Sequence, residues 1–325
     1  MKKALLLILT LALLLVSFAS CAKKNATDDT TVRVGYLSGS TGLGLSKMIA
    51  DNKENEKVTF TKYNSPVEIM AAYANGDIDL AALPTNAFPN YAKNLTGSRA
   101  ISMLAVNTLG VLYLLSDDGA TVPANDLSSL AGKTIYVPEQ APKLILQHVL
   151  KENGLESSVT LNMEYDLETL PGAAQTDANV HYILFPEPKV TAILMQAGNK
   201  TYSIALDLTE AWDEVGNDPL VQGCMVVSTD FAAQHPTLIS SFLSDYEASI
   251  NWMKDPANLE TAAQYAVDAG IFPKLPIAKQ AIPRCNLTFM KGTEMGTTVN
   301  AFLSALGMAE QPLSSFYGFS ECGLD

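Results

Sequence analysis

The sequence predicts an α/β fold of two lobes with a ligand cleft between them, and three observations carry that prediction. From Val32 onward, short apolar runs alternate with stretches of helical periodicity, the mark of largely parallel sheets. The same order of strand, loop and helix then occurs a second time. In both passes the Gly-, Ser- and Pro-containing loops follow the strands, where open α/β sheets place their ligands.

The first twenty residues stand outside this pattern. Lys2 and Lys3, an apolar run from Ala4 to Val16 and the exit Ser17-Phe18-Ala19-Ser20 precede Cys21. The run is shorter than the roughly 20 apolar residues of a membrane span and ends in small residues, so residues 1–20 read as a cleavable secretory signal. Ala19-Ser20-Cys21 resembles a bacterial lipoprotein cleavage site, which implies a lipid on Cys21 and a chain held at the extracytoplasmic face of the cell membrane. Phe18 departs from the Leu usual three places before that cysteine. Residues 21–31 are polar, without aromatic or branched aliphatic side chains, and read as a flexible tether.

The first pass opens with a strand at Val32 to Leu37, a loop at Ser38-Gly39-Ser40-Thr41-Gly42 and a helix from Leu43 to Ala50. A second strand runs from Val58 to Tyr63. Ser65-Pro66 with Glu68 opens a helix that closes at Asn75-Gly76. A third strand, Asp79 to Leu83, leads through Pro84-Thr85-Asn86 into another helix. The second pass has strands at Lys133 to Val137, Val159 to Glu164 and His181 to Phe185, with helices from Lys143 to Asn153, at Pro171-Gly172 and after Pro186-Glu187-Pro188. Leu37 to Pro84 spans 47 positions and Pro138 to Pro186 spans 48, which supports two halves on one plan. Strands at Val111 to Leu115 and Cys224 to Ser228 bracket the second pass and are the expected hinge. The expected lobes are therefore residues 32–112 with 226–325, and residues 113–225. After Ser228 the pattern is nearly all helical: Phe231 to Lys254, Asn258 to Ala269, Pro276 to Ala281 and Met295 to Leu306.

Composition narrows the function. With 21 basic and 34 acidic residues the formal charge is −13, and loss of Lys2 and Lys3 with the signal makes it more negative. Such a field repels nucleic acid, and Arg33, Arg99 and Arg284 are the only arginines. The cysteines Cys21, Cys224, Cys285 and Cys322 show no close metal-ligand spacing, so no metal or other cofactor is expected. Cys285 and Cys322 are the pair to test for a disulfide, against buried unpaired thiols as the equal alternative. His148, His181 and His235 are scattered, none with a Ser, Cys or Asp partner in a recognisable catalytic arrangement, and nucleophile-elbow, zinc-protease and phosphate-loop motifs are absent. No catalytic residue is assigned, and the chain is not expected to be an enzyme.

The cleavage site together with VRVGYL-SGSTGLGLSKM, NGDIDLAALPTNAF, YILFPEPKVTA and QGCMVVSTDFAAQHP resembles the substrate-binding proteins of bacterial ABC importers. The nearest group binds alkanesulfonates, taurine, nitrate and thiamine-pyrimidine precursors. The resemblance covers the mature chain and implies a periplasmic-binding-protein-like (type II) fold. It also implies a monomeric receptor that closes on a small molecule and delivers it to a permease and its ATPase.

Candidate ligand contacts follow from loop position. Ser38, Gly39, Ser40 and Thr41 form a donor-rich turn after the first strand, which suits a carboxylate, sulfonate or heterocycle oxygen. Thr85 and Asn86 follow the third strand, where they could equally cap the next helix. Thr108 precedes the hinge strand; Glu139, Gln140 and Glu187 occupy the matching loops of the second lobe; Gln222 and Gly223 precede the return strand. Tyr36, Phe88, Tyr136, Tyr165 and Phe185 lie near strand ends where a planar ligand could stack, whereas Trp212 and Trp252 read as packing residues. None of these loops contains arginine, and Glu139 and Glu187 would repel an anion. The expected ligand is therefore a nitrogen-containing heterocycle or amine. A sulfonate or nitrate-type anion held by backbone amides, with Lys47 or Lys189 reaching inward, is the alternative. A secreted two-lobed enzyme of transferase or dehydratase type is the alternative of another class.

Overall fold

The computed structural model of the chain describes residues 30–52, 57–138, 141–216 and 218–318. The signal segment, Cys21, Glu139, Gln140 and Cys322 lie outside these residues.

The first strand, β1 (Val32–Leu37), is followed by two short helices, α1 (Ser40–Leu43) and α2 (Ser46–Asp51). The expected loop at Ser38–Gly42 is thus a two-residue turn, and Ser40 and Thr41 are already helical. Then come β2 (Val58–Tyr63), α3 (Pro66–Asn75), β3 (Leu80–Pro84), a 3-10 turn at Thr85–Ala87, α4 (Phe88–Asn94) and β4 (Ile101–Thr108). Helix α3 starts where expected because the Ser65 hydroxyl accepts the Glu68 N–H at 3.2 Å and Pro66 presets the first turn. It stops at Gly76, whose φ of 86° is left-handed. β4 was not expected. Its run ISMLAVNT is buried at every position, so it lacks the alternation that identifies a half-exposed strand.

β5 (Leu112–Ser116) leads to β6 (Thr134–Tyr136), α5 (Ala141–Glu152), β7 (Thr160–Asn162), α6 (Leu170–Thr176), β8 (Tyr182–Pro186), α7 (Lys189–Leu194), β9 (Ser203–Asp207) and α8 (Leu208–Glu214). The chain returns through β10 (Gly223–Ser228) to α9 (Thr229–Gln234), α10 (Pro236–Lys254), α11 (Leu259–Asp268), α12 (Leu275–Ala281), β11 (Leu287–Met290) and α13 (Gly292–Ala305). Two corrections fall here. The helix expected from Phe231 to Lys254 breaks at His235-Pro236, where His235 takes a non-helical φ of −126° and ψ of 50° as residues before proline do. The tail expected to be nearly all helical contains β11, and β9 was likewise not anticipated.

The strands form two sheets, ordered β11-β4-β10-β3-β1-β2 and β7-β6-β8-β5-β9. In the first, β1 lies parallel to β2 and β3, with β10 antiparallel to β3 and β4. In the second, β6 lies parallel to β7 and β8, with β5 antiparallel to β8 and β9. Read from β2 and from β7, five strands of each sheet follow the same plan. β5 and β10 are interior strands of opposite sheets, so the chain passes between sheets at residues 109–111 and returns between α8 and β10. Register places Gly223 opposite both Pro84 and Thr108, and Leu112 opposite Pro186, so both crossings join the carboxyl edges of the parallel strands.

The core is continuous between the sheets. One apolar cluster takes in Leu83 and Val226 of the first sheet, Leu114 and Leu184 of the second, and Trp212 and Phe302 from α8 and α13. A second cluster packs α10, α11 and α12 on the other face of the first sheet, and a third lies under α6 and α7 of the second. Trp212 is fully buried, as its reading as a packing residue requires, and Trp252 stacks on Tyr265 at 5.5 Å. Among the described residues no helix is long and apolar enough to cross a membrane.

Candidate functional site

The carboxyl edge of the first sheet gathers uncharged polar groups from four strands. Ser38 follows β1 and is exposed. Gly39 follows with φ of 90°, a left-handed value that favours glycine, and its N–H donates to the Ile271 carbonyl at 3.1 Å. A Cβ there would lie 3.8 Å from Pro188 Cδ, which puts this turn within van der Waals reach of the second sheet's loop.

From α1, the Thr41 carbonyl accepts from Asn107 Nδ2 at 3.2 Å, and the Ser40 carbonyl lies 3.3 Å from Thr108 Oγ1. Thr108 Oγ1 also donates to Asn107 Oδ1 at 2.9 Å. Asn107 and Thr108 are fully buried at the end of β4. The Thr85 N–H donates to the Gln222 carbonyl at 3.1 Å, and its buried hydroxyl lies beside the Cys224 thiol. Asn86 is half-buried in the following turn. Gln222 spans the two crossings: its N–H donates to the Thr108 carbonyl at 2.9 Å and its Oε1 accepts from the Val111 N–H at 2.6 Å. Gly223 is wedged among these groups, since a Cβ there would stand 2.3 Å from Asn107 Oδ1 and 2.9 Å from Thr108 Oγ1.

Ser40, Thr41, Thr85, Thr108, Gln222 and Gly223, read from separate loops of the sequence, therefore converge. Two members of the cluster were not singled out. Asn107 is a polar residue in a fully buried strand, a signal that was legible. Tyr246 lies on α10 with its hydroxyl buried near Asn107, and nothing in the helix pattern marks it. Burial pushes the Cys224 thiol up to about 12 and raises the Tyr246 phenol, so both are neutral near pH 7. The floor carries hydrogen-bonding capacity without net charge.

Glu187, at the end of β8, sits differently from the expectation of a free carboxylate facing a ligand. It is 2 % exposed, its N–H donates to the Val111 carbonyl at 2.9 Å, and its Oε1 pairs with Arg284 Nε at 2.5 Å. No candidate loop carries an arginine, yet one reaches the Glu187 carboxylate. Arg284 reaches it from a 3-10 turn after α12, far along the chain from every loop considered. A neutralised Glu187 no longer argues against an anion. Nor do the lysines reach inward: Lys47 pairs with Asp51 at 2.6 Å and Lys189 with Glu168 at 2.9 Å.

Four of the five stacking candidates are core residues, and Tyr165 is half-buried against them. Phe88 and Phe185 are fully buried, Phe88 packing on Phe316, and the Tyr36 hydroxyl donates to the Ala269 carbonyl at 2.9 Å. Tyr136 faces Tyr165 at 5.9 Å, and the Tyr165 hydroxyl donates to Asp177 at 2.9 Å. The histidines lie apart, His148 against Trp212, His181 on Asp117 and His235 against Phe231. Among the described residues no three His, Cys, Asp or Glu side chains gather as a metal site would require. Cys224 and Cys285 are buried free thiols.

A family model described as NMT1/THI5 like matches residues 52–258. No curated protein matches the sequence. Among solved structures, an ABC transporter protein from Parabacteroides distasonis aligns with a TM-score of 0.67 at 18% identity, over 89% of this chain and 96% of its own. The periplasmic aliphatic sulphonate binding protein SsuA from Escherichia coli aligns at 0.67 and 14% identity, over 89% and 92% of the two chains. The periplasmic nitrate-binding protein NrtA from Synechocystis PCC 6803 aligns at 0.62 and 14%, over 86% and 82%. The fold is the two-lobed, periplasmic-binding-protein-like α/β fold with its cleft between the lobes.

Proposed function

Because the chain belongs to the NMT1/THI5-like family, we propose that it is the extracytoplasmic substrate-binding component of an ABC importer, closing its lobes on a small molecule and delivering it to a permease and ATPase. The observation that carries this reading is the convergence of Ser40, Thr41, Thr85, Asn107, Thr108 and Gln222 at the first sheet's carboxyl edge. That edge is where open α/β sheets bind ligands. The signal sequence and Cys21 support export and a lipid anchor. Metabolic lipid labelling should mark the wild type and fail on C21A; label retained by C21A would remove the anchor.

The ligand best suited to an uncharged floor of hydroxyl and amide groups is a neutral nitrogen-containing heterocycle. For an amine, the Glu187 carboxylate is committed to Arg284, which leaves Glu139, outside the described residues, as the carboxylate that would favour it. A sulfonate or nitrate-type anion is a second reading, favoured by the arginine at the lobe junction and by the ligands named for SsuA and NrtA. Calorimetry against pyrimidines, vitamins, sulfonates and nitrate separates the two. Stoichiometric pyrimidine-type binding weakened at least tenfold by N107A or T108V supports the heterocycle, whereas sulfonate binding indifferent to both overturns it. Recovery of the bound compound unchanged distinguishes a receptor from an enzyme, and any turnover would decide for the enzyme.

A further inference from the structure

We propose that Arg284, Glu187 and Thr191 form a clasp between the lobes that sets how far the cleft opens; the clasp governs the site described above and so rests on reading that cleft as the ligand site. Arg284 belongs to the first sheet's side. Ala281, Ile282 and Cys285 around it share a cluster with Val34, Leu80 and Met225, and β11, which follows, pairs with β4. Glu187 and Thr191 belong to the second sheet's side, one directly after β8 and the other on α7.

The three side chains interlock. Arg284 Nε donates to Glu187 Oε1 at 2.5 Å, and its Nη2 donates to Thr191 Oγ1. Thr191 in turn donates its N–H to Glu187 Oε2 at 3.1 Å and its hydroxyl to Oε1 at 2.9 Å. Both carboxylate oxygens are thereby satisfied in a place where the Glu187 side chain is 0% exposed, against 29% for Arg284. A carboxylate so enclosed is tolerated only while its cation is in place. Remove Arg284 and the remaining charge gains hydration by moving away from the first lobe; remove the carboxylate and the guanidinium gains in the same way.

The position of the clasp gives it leverage. The Glu187 N–H is bonded to Val111 in one crossing segment, and Asn286, two residues past Arg284, donates Nδ2 to the Gly110 carbonyl at 2.5 Å and accepts the Leu109 N–H at 3.0 Å. Helices α12 and α7 pack against each other alongside it. A small rotation beside the crossing displaces the far lips of the cleft most. Glu187 is on this reading a determinant of closure rather than a ligand contact.

Small-angle scattering of the purified mature chain without ligand tests the clasp. The wild type should give the radius of gyration of a compact chain of its length, about 19 Å. R284Q and E187Q should each shift it upward and lengthen the maximum dimension. T191V, which keeps the charge pair, should shift it less in the same direction and serves if a charge variant fails to fold. The R284Q/E187Q double variant should open no further than either single, because one interaction cannot be lost twice. Profiles that superimpose on the wild type, or a double variant that opens by the sum of the singles, would overturn the proposal. Since no ligand is present, this outcome is independent of whether the heterocycle or the anion reading holds.

Discussion

At Gly223, the floor of the site leaves no room for a methyl group. An added Cβ would meet Asn107 Oδ1 at 2.3 Å as well as the Thr108 hydroxyl and the Thr41 methyl. G223A should therefore cost about 1–3 kcal/mol, the range for overpacking a filled interior. A urea midpoint equal to that of the wild type would show instead that Asn107 yields. The buried thiols give a second residue-level prediction. Burial raises Cys224 to about 12 and Cys285 well above its ordinary value, while in the unfolded chain both ionise near pH 8.5. The unfolded state then holds fewer protons than the folded state above that pH, so stability is constant below it and falls as pH rises toward 12. The loss should approach about 1.4 kcal/mol per pH unit for each thiol. Reducing urea titrations at pH 8 and 10 check this, and C224A should remove about half of the effect. Gly223, Gln222 and Thr108 were legible as candidates from their place beside expected strands. Glu187 was legible as a position, but its role was not, because its partner Arg284 is 97 residues away.

The elements that the sequence revealed are those whose signals are local. Helix α3 carries its own start and stop, with Ser65, Pro66 and Glu68 at one end and Gly76 at the other. S65A should destabilise the chain by about 1 kcal/mol, and S65D should restore most of it; equal midpoints for all three would show that the cap contributes nothing. β4 escaped notice for the opposite reason. A strand buried on both faces has no period of two, and only the neighbours β10 and β11 make it a strand. β9 shows no alternation of buried and exposed positions, β11 is a short strand set among helices, and the break between α9 and α10 was visible as His235-Pro236 yet reads equally as a kink.

Across the whole molecule, the apolar cluster shared by both sheets couples the lobes. Trp212 of α8 lies 5.9 Å from Phe302 of α13, and both are buried with Leu83, Leu114 and Val226. Urea unfolding of the intact chain should accordingly follow one cooperative transition, and F302A should lower its free energy by about 3–5 kcal/mol without splitting it. A biphasic curve for the wild type would mean that the lobes unfold separately. The order of strands and helices, their duplication, the caps of α3 and the polar loops after the strands were set by the sequence itself, because each depends on residues a few positions apart. The convergence of Asn107 with Thr41 and the pairing of Arg284 with Glu187 were decided by tertiary structure alone. Contacts between residues so distant in the chain leave no periodicity to read, since only folding brings them within hydrogen-bond distance.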